Sequence, residues 1–420
     1  MSQQSNYMPR IADSGLRERL GRVGAVVIEG AKGCGKTETS AQRAASVVRF
    51  DLDTALRQTA EIAPMNVLMG AAPQLLDEWQ LVPGLWNAVR RAVDDRGLDG
   101  QFILTGSATP SDDETRHSGA GRFSRMRLRT LTLAESGLST AQVSLSALLE
   151  GHLVDGGHSE LTVNDLIEET CHGGWPRDRS RSWSAAQRNV ADYMAEMAHA
   201  DVRLEGAPRD PARVMAVLRA LARNTAGTAR VTTLAADAST ETSLSDATAR
   251  SYLTALQRLM VLEPLTSWSP VLRDKARLRK AVKYHFIDPA VSASLLQAGP
   301  DELRLDLKTY GFLFESLVVR DLRVYAEAAR AAVYHYRDSS GLEVDAIVDG
   351  GYGRWAAFEV KLGGSATVID RAAANLLRFA AQVDTQSSGA PRLLAVITAE
   401  GYAHTRPDGI AVIPLPTLGP

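Results

Sequence analysis

An eight-residue glycine-rich stretch, residues 30–37, has the composition of a loop that wraps phosphate groups. It reads G-x-x-x-x-G-K-T, between an apolar run at 25–28 and an Ala- and Gln-rich segment that can form a helix. Glycine lets successive N–H groups face phosphate oxygens, and the N-terminus of the helix adds partial positive charge. Lys36 supplies a full charge for the terminal phosphates, and Thr37 a hydroxyl for Mg²⁺. We therefore expect ATP and Mg²⁺ to bind here, with contacts from Gly30, Gly33, Cys34, Gly35, Lys36, Thr37 and Glu38.

Two adjacent acids follow the next strand candidate and could complete a hydrolytic site. Asp77 and Glu78 come after the apolar pair at 75–76, with Pro73 limiting the strand. In this position Asp77 would orient the Mg²⁺ shell, and Glu78 would polarise the water that attacks the terminal phosphate. The alternative is a solvated acidic turn.

A third strand candidate, residues 101–104, ends in small hydroxyl residues. Thr105 and Ser107 could sense the terminal phosphate, or they could belong to an ordinary strand-to-loop turn. A basic run follows at 121–129, where apolar residues alternate with Arg and Thr as in a strand. Arg122 lies just ahead of that strand, beside a glycine, and is a candidate arginine finger.

Composition limits the classes of protein that the chain can belong to. Its 420 residues are 45% apolar and 23% charged, which is enough apolar sequence for several domains with sizeable cores. The 47 basic and 49 acidic residues nearly cancel, so a nucleic-acid site would have to be a local patch. Cys34 and Cys171 are too few for a metal cluster or a disulfide framework, and Cys34 is expected to pack rather than react. Without a signal peptide or a membrane-length apolar run, we expect a soluble, cytoplasmic protein.

The middle of the chain is predicted to be mainly helical. Residues 141–204 read as a helical lid or arm with a turn at 171–176, and residues 205–298 as three helices followed by two strands, the winged-helix layout. The strand region is basic and contains a single acid, Asp274. DNA or RNA phosphates could bind this patch, or it could be a solvated hairpin or a packing surface. Its basic residues are Arg273, Lys275, Arg277, Arg279, Lys280 and Lys283.

The C-terminal region, residues 299–420, is predicted as a long helix, three strands, a helix and further strands. This order resembles the restriction-endonuclease-like fold, in which carboxylates bind Mg²⁺ for phosphodiester cleavage. Asp345 and Glu359 would be the metal ligands, Lys361 would steady the nucleophile or the developing charge, and Glu315 would project from the helix. Glu343 shares a strand face with Asp345 and is a possible second ligand. Glu-x-Lys is also common in edge strands, and such domains can persist as inactive binding modules.

Four segments together resemble a known family: GAKGCGKT, LLDEWQLVPGLWNAVRR, FILTGSA and AGRFSRMRLRTLTLAES. They look like the bacterial and archaeal AAA-type ATPases that carry a C-terminal domain of unknown function, and the resemblance covers nearly the whole chain. It implies an ASCE-type AAA+ core with Glu78 as base, Thr105 and Ser107 as sensor, and Arg122 as the arginine. Arg122 could act on its own nucleotide or, in a homo-oligomer, on a neighbour's.

The sequence thus predicts an α/β protein with four parts in order. These are a P-loop NTPase core at 1–140, a helical lid at 141–204, a winged helix at 205–298 and a restriction-endonuclease-like domain at 299–420. The leading hypothesis is an ATPase that acts on nucleic acid through its last two parts. The alternative is a nucleotide-switched regulator or scaffold for a protein partner, with an inactive C-terminal domain. A small-molecule kinase would leave those parts without a role.

Overall fold

A parallel sheet forms the centre of the N-terminal part of the chain. The computed structural model describes residues 7–106, 119–201, 210–239, 244–269 and 282–420. The strands of this sheet are β1 (Ala25–Glu29), β2 (Ser46–Arg49), β3 (Gln74–Asp77), β4 (Phe102–Gly106) and β5 (Phe123–Arg127). All neighbouring pairs are parallel, in the order β2-β3-β4-β1-β5. The carboxyl ends of the strands therefore lie at one edge, and the predicted α/β core is confirmed.

Helices cover both faces of this sheet, which explains the nearly continuous apolar runs of the central strands β1 and β4. They are α1 (Ala12–Leu20), α2 (Lys36–Ala41), α3 (Thr54–Ile62) and α4 (Leu85–Arg96). On one face, Val27 and Leu104 pack with Trp86 and Val89 of α4. On the opposite face, Val26, Leu75 and Ile103 pack with Leu16 of α1.

The middle of the chain is mainly helical, as predicted. Its elements are β6 (Val143–Ser144), α5 (Leu145–Leu149), α6 (Val163–His172), α7 (Trp183–Glu196), α8 (Pro211–Arg223), α9 (Val231–Ala238), α10 (Asp246–Arg258), β7 (Leu262–Leu265) and β8 (Lys283–Phe286). Strands β7 and β8 pair antiparallel. Helices α8 to α10 followed by this strand pair have the element order predicted for residues 205–298, and the name winged helix stays a prediction.

The C-terminal part contains a mixed sheet between helices. Its elements are α11 (Pro289–Leu295), α12 (Pro300–Leu305), α13 (Leu307–Ala328), β9 (Ala332–Arg337), β10 (Glu343–Asp349), β11 (Trp355–Lys361), α14 (Ala366–Gln382), α15 (Thr385–Ser388), β12 (Leu393–Thr398), β13 (His404–Thr405), β14 (Ala411–Pro414) and β15 (Leu418–Gly419). The sheet order is β13-β14-β12-β11-β10-β9, antiparallel from β9 to β11 and parallel from β11 through β12 to β14. Helix α13 packs on one face, through Phe314 and Leu317, and α14 on the other, through Leu376 and Phe379.

One hydrophobic core crosses the predicted boundaries between segments. Leu145 and Ile167 belong to the same buried cluster as Phe314 and Leu317 of α13. Strand β15, at the end of the chain, pairs in parallel with β6. The four predicted ranges therefore follow the order of elements, whereas the packing joins the second range to the fourth.

No membrane-spanning helix is found in the parts of the chain that the structure describes. None of their helices combines the length and apolar character that a bilayer-spanning helix needs.

Candidate functional site

The phosphate loop connects the end of β1 to the first turn of α2. Gly35 immediately precedes α2 with φ of 102°, a conformation that L side chains rarely adopt. Gly30 is required for a different reason, because a Cβ there would lie 2.2 Å from the carbonyl oxygen of Leu128. The strand, loop and helix order that the motif needs is therefore present.

Lys36 lies inside the curve of the loop. Its ammonium donates to the carbonyl oxygens of Gly30, at 2.9 Å, and Ala31, at 3.0 Å, and its side chain is buried. These bonds hold one full positive charge beside the loop N–H groups, where phosphate oxygens are expected to bind.

Two hydroxyl groups converge on one carboxylate at the carboxyl edge of the sheet. Thr37 Oγ1 lies 2.9 and 3.1 Å from the two carboxylate oxygens of Asp77, and the Thr105 hydroxyl also donates to Asp77. The register explains the contact, since Asp77 ends β3 directly opposite Thr105 on β4. A carboxylate beside a hydroxyl is the hard-oxygen donor set that Mg²⁺ prefers, so Thr37 and Asp77 fit as its protein ligands.

Glu78 turns the chain out of the sheet. It has φ of 54°, in the left-handed region that non-glycine residues seldom occupy, and its carboxylate accepts a hydrogen bond from Gln80. Such strained residues are concentrated at functional sites. The strain is consistent with a role for Glu78 at this edge of the sheet.

Arg122 lies at the end of the sheet opposite the phosphate loop of its own chain. Its carbonyl oxygen accepts from the N–H of Ala25, the first residue of β1, whereas the phosphate loop follows the last residue of that strand. A five-residue strand separates the two ends by about 16 Å. The guanidinium is bound instead to Asp94 on α4, with Nε 2.8 Å from the carboxylate. This position favours action on a neighbouring chain, and the role of Arg122 as an arginine finger stays a prediction.

The other predicted residues of this site differ in burial. Cys34 is buried with its thiol directed at the carbonyl oxygen of Leu128, so it packs as expected. Glu38 is exposed in the first turn of α2. Ser107 lies outside the described residues.

Three residues that the sequence analysis missed hold the outside of the loop. Arg10 donates to the carbonyl oxygen of Cys34 at 2.9 Å, and Trp175 Nε1 donates to that of Lys32 at 3.1 Å. The hydroxyl of Tyr193 accepts from the N–H of Lys32 at 3.3 Å. The Gly-Gly-Trp-Pro turn was a signal for Trp175, but no periodicity or motif distinguishes Arg10. A cavity of about 440 Å³ lies between the loop and residues 175–196, and its lining includes Lys32, Gly33, Arg177, Asn189 and Tyr193.

The predicted carboxylates of the C-terminal part do come together. Asp345 on β10 and Glu359 on β11 share Lys361, whose ammonium lies 3.2 Å from Asp345 and 2.5 Å from Glu359. The Val360 N–H donates to Asp345, and Asn375 of α14 donates to Glu359 at 2.6 Å. A register shift in β10 between Val344 and Ile347 lies beside Asp345, and such bulges re-aim side chains.

A second lysine, missed as a site residue, occupies the other side of this cluster. Lys283 of β8 is 2% exposed, and its ammonium contacts Glu315 at 2.8 Å, Glu343 at 2.7 Å and Asp345 at 3.8 Å. Its predicted place in a phosphate-binding patch is therefore wrong, because the side chain is buried between carboxylates. The remaining members of that patch, residues 273–280, lie outside the described residues.

The electrostatics of the cluster follow from burial and these lysines. Burial, with Asp345 adding to it, raises the pKa of Glu315 to about 8 against the opposing Lys283. Burial opposes ionisation of Asp345, but Lys361 and Lys283 outweigh it and lower its pKa. Burial alone would lower the pKa of Lys283, yet Glu315, Asp345 and Glu343 raise it, so the ammonium stays charged.

Two lysines contact the carboxylates of the predicted Mg²⁺ site at Asp345 and Glu359. Across the described ranges, no group of three or more His, Cys, Asp or Glu side chains is arranged to hold a metal ion. The carboxylate oxygens of Asp345 and Glu359 contact ammonium groups instead, Asp345 those of Lys283 and Lys361 and Glu359 that of Lys361. The assignment of Asp345 and Glu359 as Mg²⁺ ligands stays a prediction.

The parallel sheet, the loop and the contact between Thr37 and Asp77 define the N-terminal part as a P-loop ATPase core. Residues 23–137 match the family model described as an AAA domain, which makes this core AAA-type. Residues 163–302 and 310–418 match two models described as domains of unknown function, DUF8612 and DUF4143. The C-terminal domain of unknown function that the resemblance implied is thus confirmed, and its restriction-endonuclease-like fold stays a prediction.

Similarity to known proteins covers most of the chain. Two are the uncharacterized proteins Mb2031c of Mycobacterium bovis and Rv2008c of Mycobacterium tuberculosis. Each is 27% identical over 360 residues, which is 84% of this chain and 73% of the relative. Among solved structures, the Walker-type ATPase PABY2304 of Pyrococcus abyssi aligns with 70% of this chain and 97% of its own, at 14% identity and a TM-score of 0.39. That likeness is too distant to carry a residue role across.

Proposed function

We propose that the protein hydrolyses ATP at the phosphate loop, with Mg²⁺ held by Thr37 and Asp77. The main support is the convergence of the Thr37 and Thr105 hydroxyls on Asp77, at the edge where the loop begins. Lys36 and the loop N–H groups bind and orient the terminal phosphates. Mg²⁺ at this position supplies Lewis-acid neutralisation of the transferred phosphoryl group. Glu78 polarises the attacking water and takes its proton.

The test of this proposal is the steady-state rate of ATP hydrolysis in three variants. Glu78→Gln should still bind ATP but hydrolyse it about 10²–10⁴-fold more slowly, because it loses the general base. Lys36→Ala should lose ATP binding. Glu61→Gln, an exposed acid on α3, is the matched control and should keep the wild-type rate. An equal rate for Glu78→Gln and Glu61→Gln would remove Glu78 from the mechanism, and an inactive wild type would overturn the proposal.

We infer that nucleotide turnover regulates contacts with a protein partner, with the C-terminal domain inactive as a nuclease. The supporting observation is that the Lys283 ammonium binds carboxylates that a nuclease would need for its metal. Buried ion pairs also join the nucleotide core to the later parts, since Glu263 of β7 pairs with Arg129 and with Arg323 of α13. These pairs place the core in contact with the C-terminal domain.

Action on nucleic acid is the second candidate, and a separate observation favours it. Arg371 and Arg378 are exposed on α14, and with Asn375 they line a cavity of about 560 Å³ that also contains Glu359 and Lys361. Exposed guanidinium groups can bind the phosphates of a nucleic-acid strand.

One pair of measurements separates the two candidates. ATP hydrolysis is measured with and without single-stranded, double-stranded and branched DNA, and the mass in solution with and without ATP and a candidate partner. Stimulation by DNA that Arg371→Ala and Arg378→Ala remove would establish the nucleic-acid reading. An unstimulated basal rate, with a nucleotide-dependent change of mass, would support the regulator.

A further inference from the structure

The ammonium of Lys283 is the convergence point of carboxylates from two different elements. Glu315 comes from α13, and Glu343 and Asp345 come from β10, yet all lie within ion-pairing distance of Lys283 Nζ. The lysine side chain is 2% exposed and arrives from β8, outside the element set that forms the C-terminal sheet.

Carboxylates this close repel one another, and the repulsion is relieved by a cation between them or by protonation of one of them. Removing the cation while the carboxylates stay ionised leaves an unfavourable repulsion. A divalent metal or an ammonium group can serve as this cation. Mg²⁺ needs oxygen ligands at about 2.0–2.1 Å and cannot bind the same oxygens while an ammonium lies between them.

We propose that Lys283 is the resident cation of the C-terminal carboxylate cluster and excludes divalent metal from it. Because this cation is the side chain of a residue in β8, it is always present in the folded protein, and the cluster needs no metal. This inference does not depend on ATP hydrolysis, because it concerns the nucleotide-free protein.

The other lysine of the cluster has a different position. Lys361 bridges Asp345 and Glu359, but its side chain is 32% exposed at the rim of the cavity beside α14. Lys283 is buried more deeply and contacts three carboxylates, so it is the lysine whose removal should open the cluster to a metal.

The strand that carries Lys283 is itself tied to the nucleotide core. In the β7–β8 pair, Leu265 lies opposite Lys283 and Glu263 lies opposite His285. Glu263 binds Arg127 of β5 and Arg129, which follows it. The cation of the C-terminal cluster is therefore held by the same strand pair that contacts the ATPase core.

The test is titration of the nucleotide-free, full-length protein with Mn²⁺ alone, followed by electron paramagnetic resonance of free Mn²⁺. Wild type and the exposed-lysine control Lys308→Met should show no tight site in the cluster. Lys283→Met should gain one Mn²⁺ per chain, bound about tenfold or more tightly than by wild type. Adding Asp345→Asn to Lys283→Met should abolish the gained site.

Two outcomes would overturn the proposal. One is a wild-type Mn²⁺ site that the single change Asp345→Asn removes, because metal and Lys283 would then coexist. This comparison needs no change at Lys283 and stands even if Lys283→Met fails to fold. The other is a folded Lys283→Met protein, judged by thermal unfolding, that gains no Mn²⁺.

Discussion

Asp77 is the residue on which the nucleotide site is centred, and its partner Thr105 offers a clean test. The Thr105 side chain is fully buried and donates to the Asp77 carboxylate. Thr105→Val keeps the shape but removes the donor, so we expect a loss of about 1.5–3 kcal/mol in the free energy of unfolding. We also expect slower ATP hydrolysis, because Asp77 is then oriented by Thr37 alone. Urea unfolding and the hydrolysis rate measure the two effects.

The matched control for this change is Thr398→Val. Thr398 is also buried, but its hydroxyl donates to the backbone carbonyl of Glu400 in the distant C-terminal sheet. It should lose stability and keep the ATP hydrolysis rate. If both variants slowed hydrolysis equally, the effect of Thr105 would be one of general stability.

At the scale of elements, ion pairs of Glu263 connect β7 to the nucleotide core and to α13. Its carboxylate is 4% exposed and binds Arg127 at 2.5 Å, Arg129 at 3.0 Å and Arg323 of α13 at 3.0 Å. Glu263→Gln leaves this arginine cluster without its central charge, and we expect a cost of about 3–5 kcal/mol in urea unfolding at pH 7. Glu327→Gln is the control, since Glu327 also pairs with Arg129 but is 33% exposed, and its loss should cost about 1 kcal/mol or less.

The same ion cluster predicts a pH dependence. Burial opposes ionisation of Glu263, but Arg129, Arg323 and Arg127 outweigh it and hold its pKa well below the usual value. Its stabilisation is therefore fully present above the unfolded-state pKa of about 4.3 and is lost as pH falls toward the folded-state value. The difference in unfolding free energy between wild type and Glu263→Gln should be constant near neutral pH and shrink below about pH 4. A difference that instead shrank as pH rose from 5 to 8 would contradict this assignment.

The sequence predicted features that depend on residues close together in the chain or on the order of strands, and it did not predict other contacts between residues far apart in the chain. The phosphate loop, Asp77 and the C-terminal acids were found because motif spacing and strand order bring them together. Lys283 was assigned to a basic patch because its neighbours in sequence are basic. Its actual partners are Glu315, Glu343 and Asp345, which are more than 30 residues away in the sequence. The order of residues around Lys283 does not indicate that distant elements bury it. The distance of Arg122 from the phosphate loop could not be predicted for a related reason, since it shows only in the pairing of β5 with β1.

At the scale of the whole molecule, Asp288 joins four stretches of the chain. Its fully buried carboxylate accepts from the hydroxyl of Thr130 at 2.7 Å, from the N–H of Gly174 at 3.0 Å and from Arg320 at 3.1 Å. Because one buried network spans these parts, we expect a single cooperative unfolding transition, with urea curves from far-UV circular dichroism and tryptophan fluorescence that coincide. Separate transitions in the wild type would show that the parts unfold independently.

The contribution of Asp288 to the free energy of unfolding can be measured in the same urea experiment. Asp288→Ala should lower the free energy of unfolding by about 3–5 kcal/mol, since it leaves buried donors and part of the Arg320 charge uncompensated. Asp301→Ala is the control, because Asp301 pairs with Arg304 at the surface with 88% of its side chain exposed, and should cost less than about 1 kcal/mol. Similar losses in the two variants would argue against a network centred on Asp288.

The shared core of α5, α6 and α13 also has a consequence for how the chain is made. Leu145 and Ile167 leave the ribosome well before Phe314 and Leu317, the residues they are buried with. At elongation rates of about 5–20 residues per second, that interval is on the order of ten seconds. During it, the apolar faces of α5 and α6 lack the cover that α13 later provides. The nascent chain therefore exposes an apolar surface on α5 and α6 to which chaperones can bind, and this surface is buried in the folded protein.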